Sequence, residues 1–251
     1  MNTNELAVAY HRDGFVIARQ LFSSEEIKEI AENLQQCIDS ITPDTEPGKV
    51  YFDDSTPKRV KALHRLNEQS PFFQKLIEEP RVLNILKPIW AGDEIISKSV
   101  MFFDKPSPGS GETPPHQDNT FNCWIPPLAL TVTVAIDETT PENGPLICQA
   151  GSHRLGMLAH RFSGSMGFSR LLVDPVDKDQ YPSVELCMKP GDVALHHILT
   201  IHSANTNHSG RPRRQIGMNY VSSQVEKDSI AFAQYQKDLE DLHAERQAEE
   251  K

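Results

Sequence analysis

His116, Gln117 and Asp118 form a tripeptide whose two outer side chains are common metal ligands, and His202 and Arg213 follow it in the chain. Residues two apart in an extended segment project from the same face, so His116 and Asp118 can approach one ion. Two histidines and a carboxylate leave three positions open on an octahedral iron, enough for a bidentate 2-oxo acid and O₂. These residue types therefore indicate oxygen activation at a non-haem Fe(II) centre.

The same type of tripeptide occurs a second time, at His11-Arg12-Asp13. That copy lies in a segment with helical periodicity, where residues two apart point about 200° apart around the axis and do not easily chelate one ion. His116 and Asp118 instead follow a loop rich in glycine and proline and precede β-rich runs. We therefore predict that the copy at 116–118 binds the metal.

A third protein ligand must come from another strand, and His202 competes with histidines outside the two tripeptides. Their positions are 64, 153, 160, 196, 197, 208 and 243. His202 is favoured because it follows a predicted strand and precedes Arg213, whose guanidinium can grip a carboxylate through two parallel hydrogen bonds. His196 and His197 are interpreted as structural, since adjacent strand residues face opposite sides and only one can reach the site. Arg214 is predicted to point away from Arg213 into a surface ion pair.

The elements that must position these residues change in character near residue 93. The predicted helices before it span residues 4–13, 71–78 and 80–89, and another is capped by Ser24. A strand at 15–18 and a loop at 41–58 lie among them. The β-rich runs after it span residues 95–103, 128–136, 146–148, 184–188, 193–195 and 214–221. This order predicts a mainly β fold with flanking helices, in which a helical part packs on an antiparallel double-sheet barrel.

The chain of 251 residues is predicted to form one domain, 1–251. Its helical N-terminal part extends to about residue 92, its core covers about 93–223, and a solvated C-terminal helix covers about 226–250. We assign no chemistry to that last helix.

Composition limits the classes of partner. The chain is 38% hydrophobic and 24% charged, as in ordinary globular proteins, and no apolar run approaches the roughly 18 residues of a membrane span. A formal net charge of -10 disfavours nucleic acid and anionic membranes, which reward basic patches. The four cysteines are widely spaced without a CxxC pair, and the start lacks a secretory pattern. We therefore predict a cytoplasmic protein with free thiols and a small-molecule substrate.

Ordered motifs carry a resemblance to a known family. They are Met101-Phe102-Phe103-Asp104-Lys105-Pro106, His116-Gln117-Asp118, Ala135-Ile136-Asp137-Glu138 with Glu142-Asn143-Gly144-Pro145-Leu146, Gly151-Ser152-His153, the stretch from Gly191-Asp192 to Arg213, and, near the start, Tyr10 to Val16. With them the chain resembles the phytanoyl-CoA dioxygenase family of Fe(II)/2-oxoglutarate oxygenases. The resemblance implies a double-stranded β-helix (a cupin-like jelly roll), iron ligation by His116, Asp118 and His202, and Arg213 on the distal carboxylate of 2-oxoglutarate.

Further residues are assigned to the cosubstrate. By the resemblance, Lys61 and Met101 occupy positions where family members place cosubstrate-pocket residues. Thr133, in the alternating run 131–134, is another predicted cosubstrate residue. The chain departs from the family at Ala204, two residues after His202, where family members often have a serine. Asp118 is intact, which favours hydroxylation over the halogenation of relatives that lack this carboxylate.

The substrate is the part of the function that the sequence predicts least. Phe121, Trp124 and Arg161 are candidate substrate residues, and residues 154–182 form a candidate specificity loop. Acyl thioesters, amino acids, organophosphonates and natural-product scaffolds are all open. The prediction is hydroxylation of a small organic substrate with release of succinate and CO₂. The alternatives are a Zn²⁺-dependent hydrolase, which would not need Arg213, and a catalytically silent jelly-roll binding module.

Overall fold

The computed structural model describes residues 2–41, 48–53, 58–107, 111–165 and 168–249. The α-helices in these residues are α1 (Thr3–Asp13), α2 (Ser24–Asp39), α3 (Leu66–Gln69), α4 (Pro71–Leu76), α5 (Pro80–Leu86), α6 (Asn119–Asn122) and α7 (Ser229–Glu249). Among the helices described, none is both long enough and apolar enough to cross a membrane.

A capping box opens the second helix. Ser23 accepts a hydrogen bond from the backbone N–H of Glu26, and the Glu26 carboxylate accepts one from the backbone N–H of Ser23. The sequence prediction that Ser24 caps this helix is therefore wrong by one residue. A capping box needs a glutamate or glutamine three residues after the cap, and only Ser23 has one at that spacing.

In the described part of the chain the strands form two main antiparallel sheets and two small ones. They are β1 (Phe15–Ala18), β2 (Val50–Phe52), β3 (Val60–Leu63), β4 (Ile95–Asp104), β5 (Thr113–His116), β6 (Trp124–Ile125), β7 (Ala129–Ala135), β8 (Leu146–Gln149), β9 (His160–Ser165), β10 (Phe168–Leu172), β11 (Ser183–Leu186), β12 (Val193–His197), β13 (His202–Ala204), β14 (Arg214–Ser222) and β15 (Glu226–Lys227). The major sheet has the order β1-β12-β7-β14-β4-β3-β2, and the minor sheet has the order β11-β8-β13-β5. The predicted mainly β, jelly-roll fold is confirmed.

Strand β7 shows why the sequence produces two buried faces. Its alternating side chains Leu130, Val132 and Val134 belong to the large apolar core. Thr131 and Thr133 point to the opposite face, because successive strand residues alternate. Every residue of β7 is buried. One face thus supports the helices, and the other supplies polar side chains to the barrel interior.

The helices cover the outer face of the major sheet. The side chains of Tyr10, Leu34, Phe73 and Leu86 join Phe102 of β4 in this core, and each is at most 1% exposed. Full burial of a large apolar side chain contributes about 1.5–3 kcal/mol. The helical layer therefore fixes the major sheet, and with it the residues on the inner face.

The N-terminal part of the chain contains more strands than the sequence predicts. The early strand at Phe15–Ala18 is confirmed, and it joins the major sheet by pairing with β12. The region predicted as loop at 41–58 contains β2, which pairs with β3; residues 42–47 and 54–57 of that region lie outside the described residues. The N-terminal part of the chain thus adds three strands to the sheet as well as helices.

Candidate metal centre

The predicted metal ligands come together on the minor sheet. His116 ends β5, His202 begins β13, and the two are direct cross-strand partners with ring centroids 4.2 Å apart. Their Nε2 atoms lie 3.5 Å (His116) and 3.3 Å (His202) from Oδ1 of Asp118. One ligand atom from each residue falls within 4.8 Å of the others. The antiparallel register therefore builds a triad that can bind a metal ion.

Backbone carbonyls fix the tautomer of both histidines. Nδ1 of His116 lies 2.8 Å from the carbonyl oxygen of Pro114, and Nδ1 of His202 lies 2.9 Å from that of Thr200. A carbonyl oxygen only accepts, so Nδ1 carries the hydrogen and Nε2 keeps its lone pair. Burial, together with the nearby His202, lowers the pKa of His116. Both rings thus present a free nitrogen toward Asp118, as metal-binding histidines do.

The second carboxylate oxygen of Asp118 is held from the major sheet. Oδ2 accepts a hydrogen bond from Thr131 Oγ1 at 2.9 Å and lies 3.0 Å from Nε2 of His196. Burial alone would raise the pKa of Asp118, but the imidazole groups of His116, His196 and His202 around the carboxylate bring it well below its ordinary value. Oδ1 is thereby left to face the two ligand histidines as a carboxylate.

His196 is a site residue that the sequence prediction treated as structural. Only one of the two adjacent histidines reaches the site, as the alternation of strand side chains requires. His196 faces Asp118, while the ring of His197 packs near Tyr10 and His153. The sequence alone does not show which residue lies opposite His196. In the structure it pairs with Thr131, and both side chains contact the same carboxylate oxygen.

A line of polar side chains continues from Asp118 across the major sheet. Asn219 Nδ2 donates to Thr131 Oγ1 at 2.9 Å, and Ser99 Oγ donates to Asn219 Oδ1 at 3.1 Å. Thr131 and Asn219 are cross-strand partners on β7 and β14. Chains of satisfied buried hydrogen bonds hold their members in place. With His196 of β12, four strands of the sheet therefore hold the carboxylate, directly or through this line.

Gln117, which lies between His116 and Asp118, has a structural role. Its side chain is fully buried, donates to the carbonyl oxygens of Gly156 and Leu199, and accepts from the backbone N–H of Leu158. Its own backbone N–H donates to Nε2 of His160 at 3.1 Å. The tripeptide is thus tied to the segment that precedes β9.

Arg213 is buried directly before β14, and not all of its N–H groups form hydrogen bonds. It is 6% exposed and donates through Nη1 to Oε1 of Gln215. Among the described residues, neither Arg213 Nε nor Gln215 Nε2 has a hydrogen-bond partner. Burial lowers the pKa of Arg213 to about 10, so it stays charged at neutral pH. Because a buried charge is costly unless it is paired and hydrogen-bonded, this arginine is suited to bind an anion.

Predicted cosubstrate residues lie between the arginine and the triad. Gly217 of β14 pairs with Met101 on one side and Thr133 on the other. A Cβ at Gly217 would lie only 3.2 Å from Cε2 of Phe103. The ring of Phe103 therefore lies close against Gly217, which shares the inner face of the sheet with Gln215 by alternation. By strand register, Met101 and Thr133 flank Gly217, between the arginine and the strand positions that hold Asp118.

Lys61 lies near the arginine end. Burial, followed by the charges of Arg213 and Lys61, lowers the pKa of Lys105 to about 7. Lys105 is 5% exposed, and its Nζ donates to the carbonyl oxygen of Gly111 at 2.7 Å. Lys61, Lys105 and Arg213 thus lie near one another at this end, and Lys105 is a residue that the sequence prediction did not include.

The predicted substrate residues have different surroundings. Phe121 packs edge-on against His116 with ring centroids 5.7 Å apart. Trp124 is 7% exposed and belongs to a separate apolar cluster that includes Ile198. Arg161 lies on β9 and is exposed. Phe121 is therefore the member of the three that the structure places against a residue of the triad.

Arg214 has the partner that its position predicts. Its Nε and Nη2 atoms donate to the two carboxylate oxygens of Asp137 at 2.9 and 2.8 Å. The side chain is 37% exposed, whereas that of Arg213 is buried. The two neighbouring arginines therefore serve opposite faces of the strand.

A jelly roll with two histidines and one carboxylate facing its interior is typical of non-haem Fe(II) oxygenases. A family model described as phytanoyl-CoA dioxygenase (PhyH) matches residues 10–215. The chain belongs to this family, whose class is that of the non-haem Fe(II)/2-oxoglutarate dioxygenases. The resemblance carried by the sequence motifs is thereby confirmed.

Relatives and solved structures agree with this assignment. A probable alpha-ketoglutarate-dependent hypophosphite dioxygenase from Stutzerimonas stutzeri is 25% identical over 227 residues, covering 85% of this chain and 77% of that one. The ectoine dioxygenase of Sphingopyxis alaskensis is 26% identical over 246 residues, covering 88% and 77%. The crystal structure of EctD from S. alaskensis with bound Fe superposes with a TM-score of 0.73 at 22% identity, covering 89% of this chain and 78% of that chain. That structural likeness shows the fold.

Proposed function

We propose that the protein hydroxylates a small organic substrate, with conversion of 2-oxoglutarate to succinate and CO₂. The observation that carries the proposal is the pairing of the triad His116, Asp118 and His202 with a buried, donor-rich Arg213 in one barrel interior. When bound, iron and 2-oxoglutarate supply the oxidising chemistry, in which one atom of O₂ enters succinate and the other enters the substrate.

The triad fits Fe(II). Two neutral imidazole nitrogens and one carboxylate oxygen form the donor set typical of non-haem Fe(II) oxygenases, with three positions left for other ligands. In our proposal His116 and His202 bind through Nε2 and Asp118 binds through Oδ1. Thr131 and His196 hold the other carboxylate oxygen and so set the orientation of the third ligand.

The arginine end fits the distal carboxylate of 2-oxoglutarate. The unused Nε–H of Arg213 and the unused amide N–H of Gln215 are buried donors that a carboxylate would satisfy. Thr133 and Met101 would line the path between this end and the triad, and Lys61 would add positive potential. The side chains themselves bind, orient and exclude water, and none of them needs to act as a general acid or base.

A zinc hydrolase and a silent binding module are less well supported. A hydrolase needs a metal-bound water, but its mechanism does not require the buried, unused N–H donors of Arg213 and Gln215. A binding module has no need of two histidines whose tautomers are set to expose Nε2. The dioxygenase accounts for both ends of the site.

The relatives differ in the molecules named for them, which include hypophosphite, ectoine and phytanoyl-CoA. We take from them only that the substrate is a small molecule. The aromatic ring of Phe121 against His116 favours a substrate that presents carbon to the metal. Four free cysteines suit the reducing cytoplasm in which we place the protein.

The two neighbouring arginines provide a matched test. Anaerobic protein loaded with Fe(II) is titrated with 2-oxoglutarate, and the weak visible charge-transfer band of the chelate is followed. Arg213→Leu should weaken 2-oxoglutarate binding by about 100-fold or more while iron stays bound, since it removes one partner of a buried ion pair. Arg214→Leu, which loses only the contact with Asp137, should bind as the wild type does. Equal affinities in the two variants would refute the assigned role of Arg213.

A further inference from the structure

The C-terminal helix α7 lies beyond the residues 10–215 that the family model matches, yet it packs beside the metal site. The ring centroid of Tyr235 lies 6.0 Å from that of Phe121, edge-on. Phe121 in turn lies 5.7 Å, also edge-on, from the ring of His116. One aromatic ring therefore separates the helix from a metal ligand.

Arg170 ties the β9–β10 hairpin to this helix. Its Nη2 atom lies 2.5 Å from Oδ2 of Asp238, and the two side chains are only 18% and 22% exposed. Its guanidinium carbon also lies 5.2 Å from the ring centroids of both Phe162 and Tyr235. Arg170 thus holds one aromatic ring from the hairpin and one from the helix while forming an ion pair with the helix.

The hairpin is itself close to the triad. His160, the first residue of β9, accepts the backbone N–H of Gln117, the residue between the two ligands. The backbone of the metal tripeptide is therefore tied directly to the first residue of the hairpin.

A second attachment lies where the helix begins. Lys227 donates to the carbonyl oxygen of Asn122 at 2.7 Å. Its Nζ lies 5.6 Å from the ring centroid of Trp124 and 4.2 Å from that of Phe232 in α7. The helix is therefore fixed at two places, at Arg170 of the hairpin and next to the segment that follows the metal tripeptide.

These attachments are polar and aromatic in kind. Ile230 on the helix is 84% exposed, so the first turn does not bury its large apolar side chain. Cation–π contacts and partly exposed ion pairs are individually weak, and an element held by a few of them opens at low free energy. Such a helix can release and reseat while the barrel stays intact.

We infer that α7 is the outer wall of the reaction pocket. Tyr235 is the residue that the helix contributes to that wall, and Arg170 and Asp238 are positioning residues that hold the wall closed. The inference rests on the proposed function. An aromatic wall of Phe121 and Tyr235 suits an organic substrate with an apolar or unsaturated portion more than a small hydrated ion.

The test uses the full chain loaded anaerobically with Fe(II). Asp238→Asn and Tyr235→Ala weaken the proposed wall, Tyr235→Phe keeps the ring, and Lys237→Ala changes an exposed residue of the same helix. Hydrogen–deuterium exchange over residues 229–241 reports docking of the helix. The rate at which a coloured Fe(II) chelator removes the iron reports access to the metal.

We expect Asp238→Asn and Tyr235→Ala to exchange faster over the helix and to lose iron about fivefold faster than wild type. Tyr235→Phe, which keeps the ring, should stay closer to the wild type than Tyr235→Ala does, and Lys237→Ala should match the wild type in both measurements. Faster exchange with an unchanged rate of iron loss would overturn the inference, because the helix would then dock without covering the metal. Wild-type protein that holds no Fe(II) would overturn the proposed function, and this inference with it.

Discussion

The inner and outer walls of the proposed pocket are held by different interactions. The inner wall consists of β5, β7, β12, β13 and β14, and its ligands and their partners are linked by buried hydrogen bonds between adjacent strands. The outer wall consists of the β9–β10 hairpin and α7, which are joined by the Arg170–Asp238 pair and by ring contacts. One wall is set by sheet register, and the other by a few side chains.

This difference suits the two tasks of such a site. Metal and cosubstrate need ligands whose positions do not change, and buried, satisfied networks provide that rigidity. Substrate must enter and product must leave, which requires an element of low local stability. The family model, which matches residues 10–215, includes the β9–β10 hairpin and ends before α7.

The largest effect is expected at the triad. Asp118→Ala should abolish stoichiometric Fe(II) binding, since the two histidines alone do not complete the ligand set. The matched control is Asp13→Ala in the second His-x-Asp tripeptide, which should keep full iron content. Metal analysis after anaerobic loading and desalting compares the two. Iron retained by Asp118→Ala would show that the inner wall does not hold the metal as described.

A smaller effect is expected from the residues that orient Asp118. Thr131→Val removes a hydrogen bond to Oδ2 without changing the shape of the side chain, and should weaken Fe(II) binding about 10-fold to 100-fold. Thr133→Val, two residues along the same face, should leave Fe(II) affinity unchanged. Competition with a chelator of known affinity measures both. Equal Fe(II) affinities would mean that the hydrogen bond from Thr131 does not affect how Asp118 binds the metal.

The inner wall should also lose stability in acid, because two partly buried histidines behind it, His64 and His197, must take up protons. Burial lowers the pKa of His197 to about 3 and that of His64 to about 4, from an ordinary value of 6.5. The unfolded chain therefore binds more protons below pH 6.5, so stability is full above that pH and falls as the pH drops toward 4. Between pH 7 and pH 5 each histidine should cost about 2 kcal/mol.

Urea unfolding at the two pH values measures this loss. Asp104, whose pKa burial raises to about 6, acts in the opposite direction over part of the range. His64→Gln removes one of the titrating groups and should reduce the difference between pH 7 and pH 5. An unchanged difference would assign the acid sensitivity to other groups.

At the arginine end, Gln215→Leu should weaken 2-oxoglutarate binding about tenfold, because it removes one donor to the carboxylate and the acceptor that orients Arg213. Fe(II) binding should be unaffected, since Gln215 makes no contact with the triad among the contacts described. Titration of the charge-transfer band separates the two affinities. Loss of iron in this variant would instead indicate a general disturbance of β14.

The smallest effect on global stability is expected from the outer wall. Asp238→Asn should change the free energy of unfolding by no more than about 1 kcal/mol, because ion pairs with access to solvent contribute little. Urea unfolding of this variant should nearly coincide with that of the wild type. A large loss would show that α7 belongs to the cooperative core, and the contrast between the two walls would not hold.

The same contrast explains what could be predicted from sequence. The alternating run 131–134 and the His-x-Asp spacing are local patterns, and they located the central strand and two residues of the triad. His196 and Gln215 were missed as site residues because their parts depend on which strands pair and in what register, which a single sequence does not encode locally. The helix α7 was predicted, but Arg170 and Asp238 are 68 residues apart, and no periodicity links them.

The most direct test of the central claim is an anaerobic crystal structure of the protein with Fe(II) and 2-oxoglutarate. We expect the metal on His116 Nε2, Asp118 Oδ1 and His202 Nε2, with the distal carboxylate against Arg213 and Gln215. A metal bound to other residues, or a carboxylate placed away from Arg213, would contradict the account.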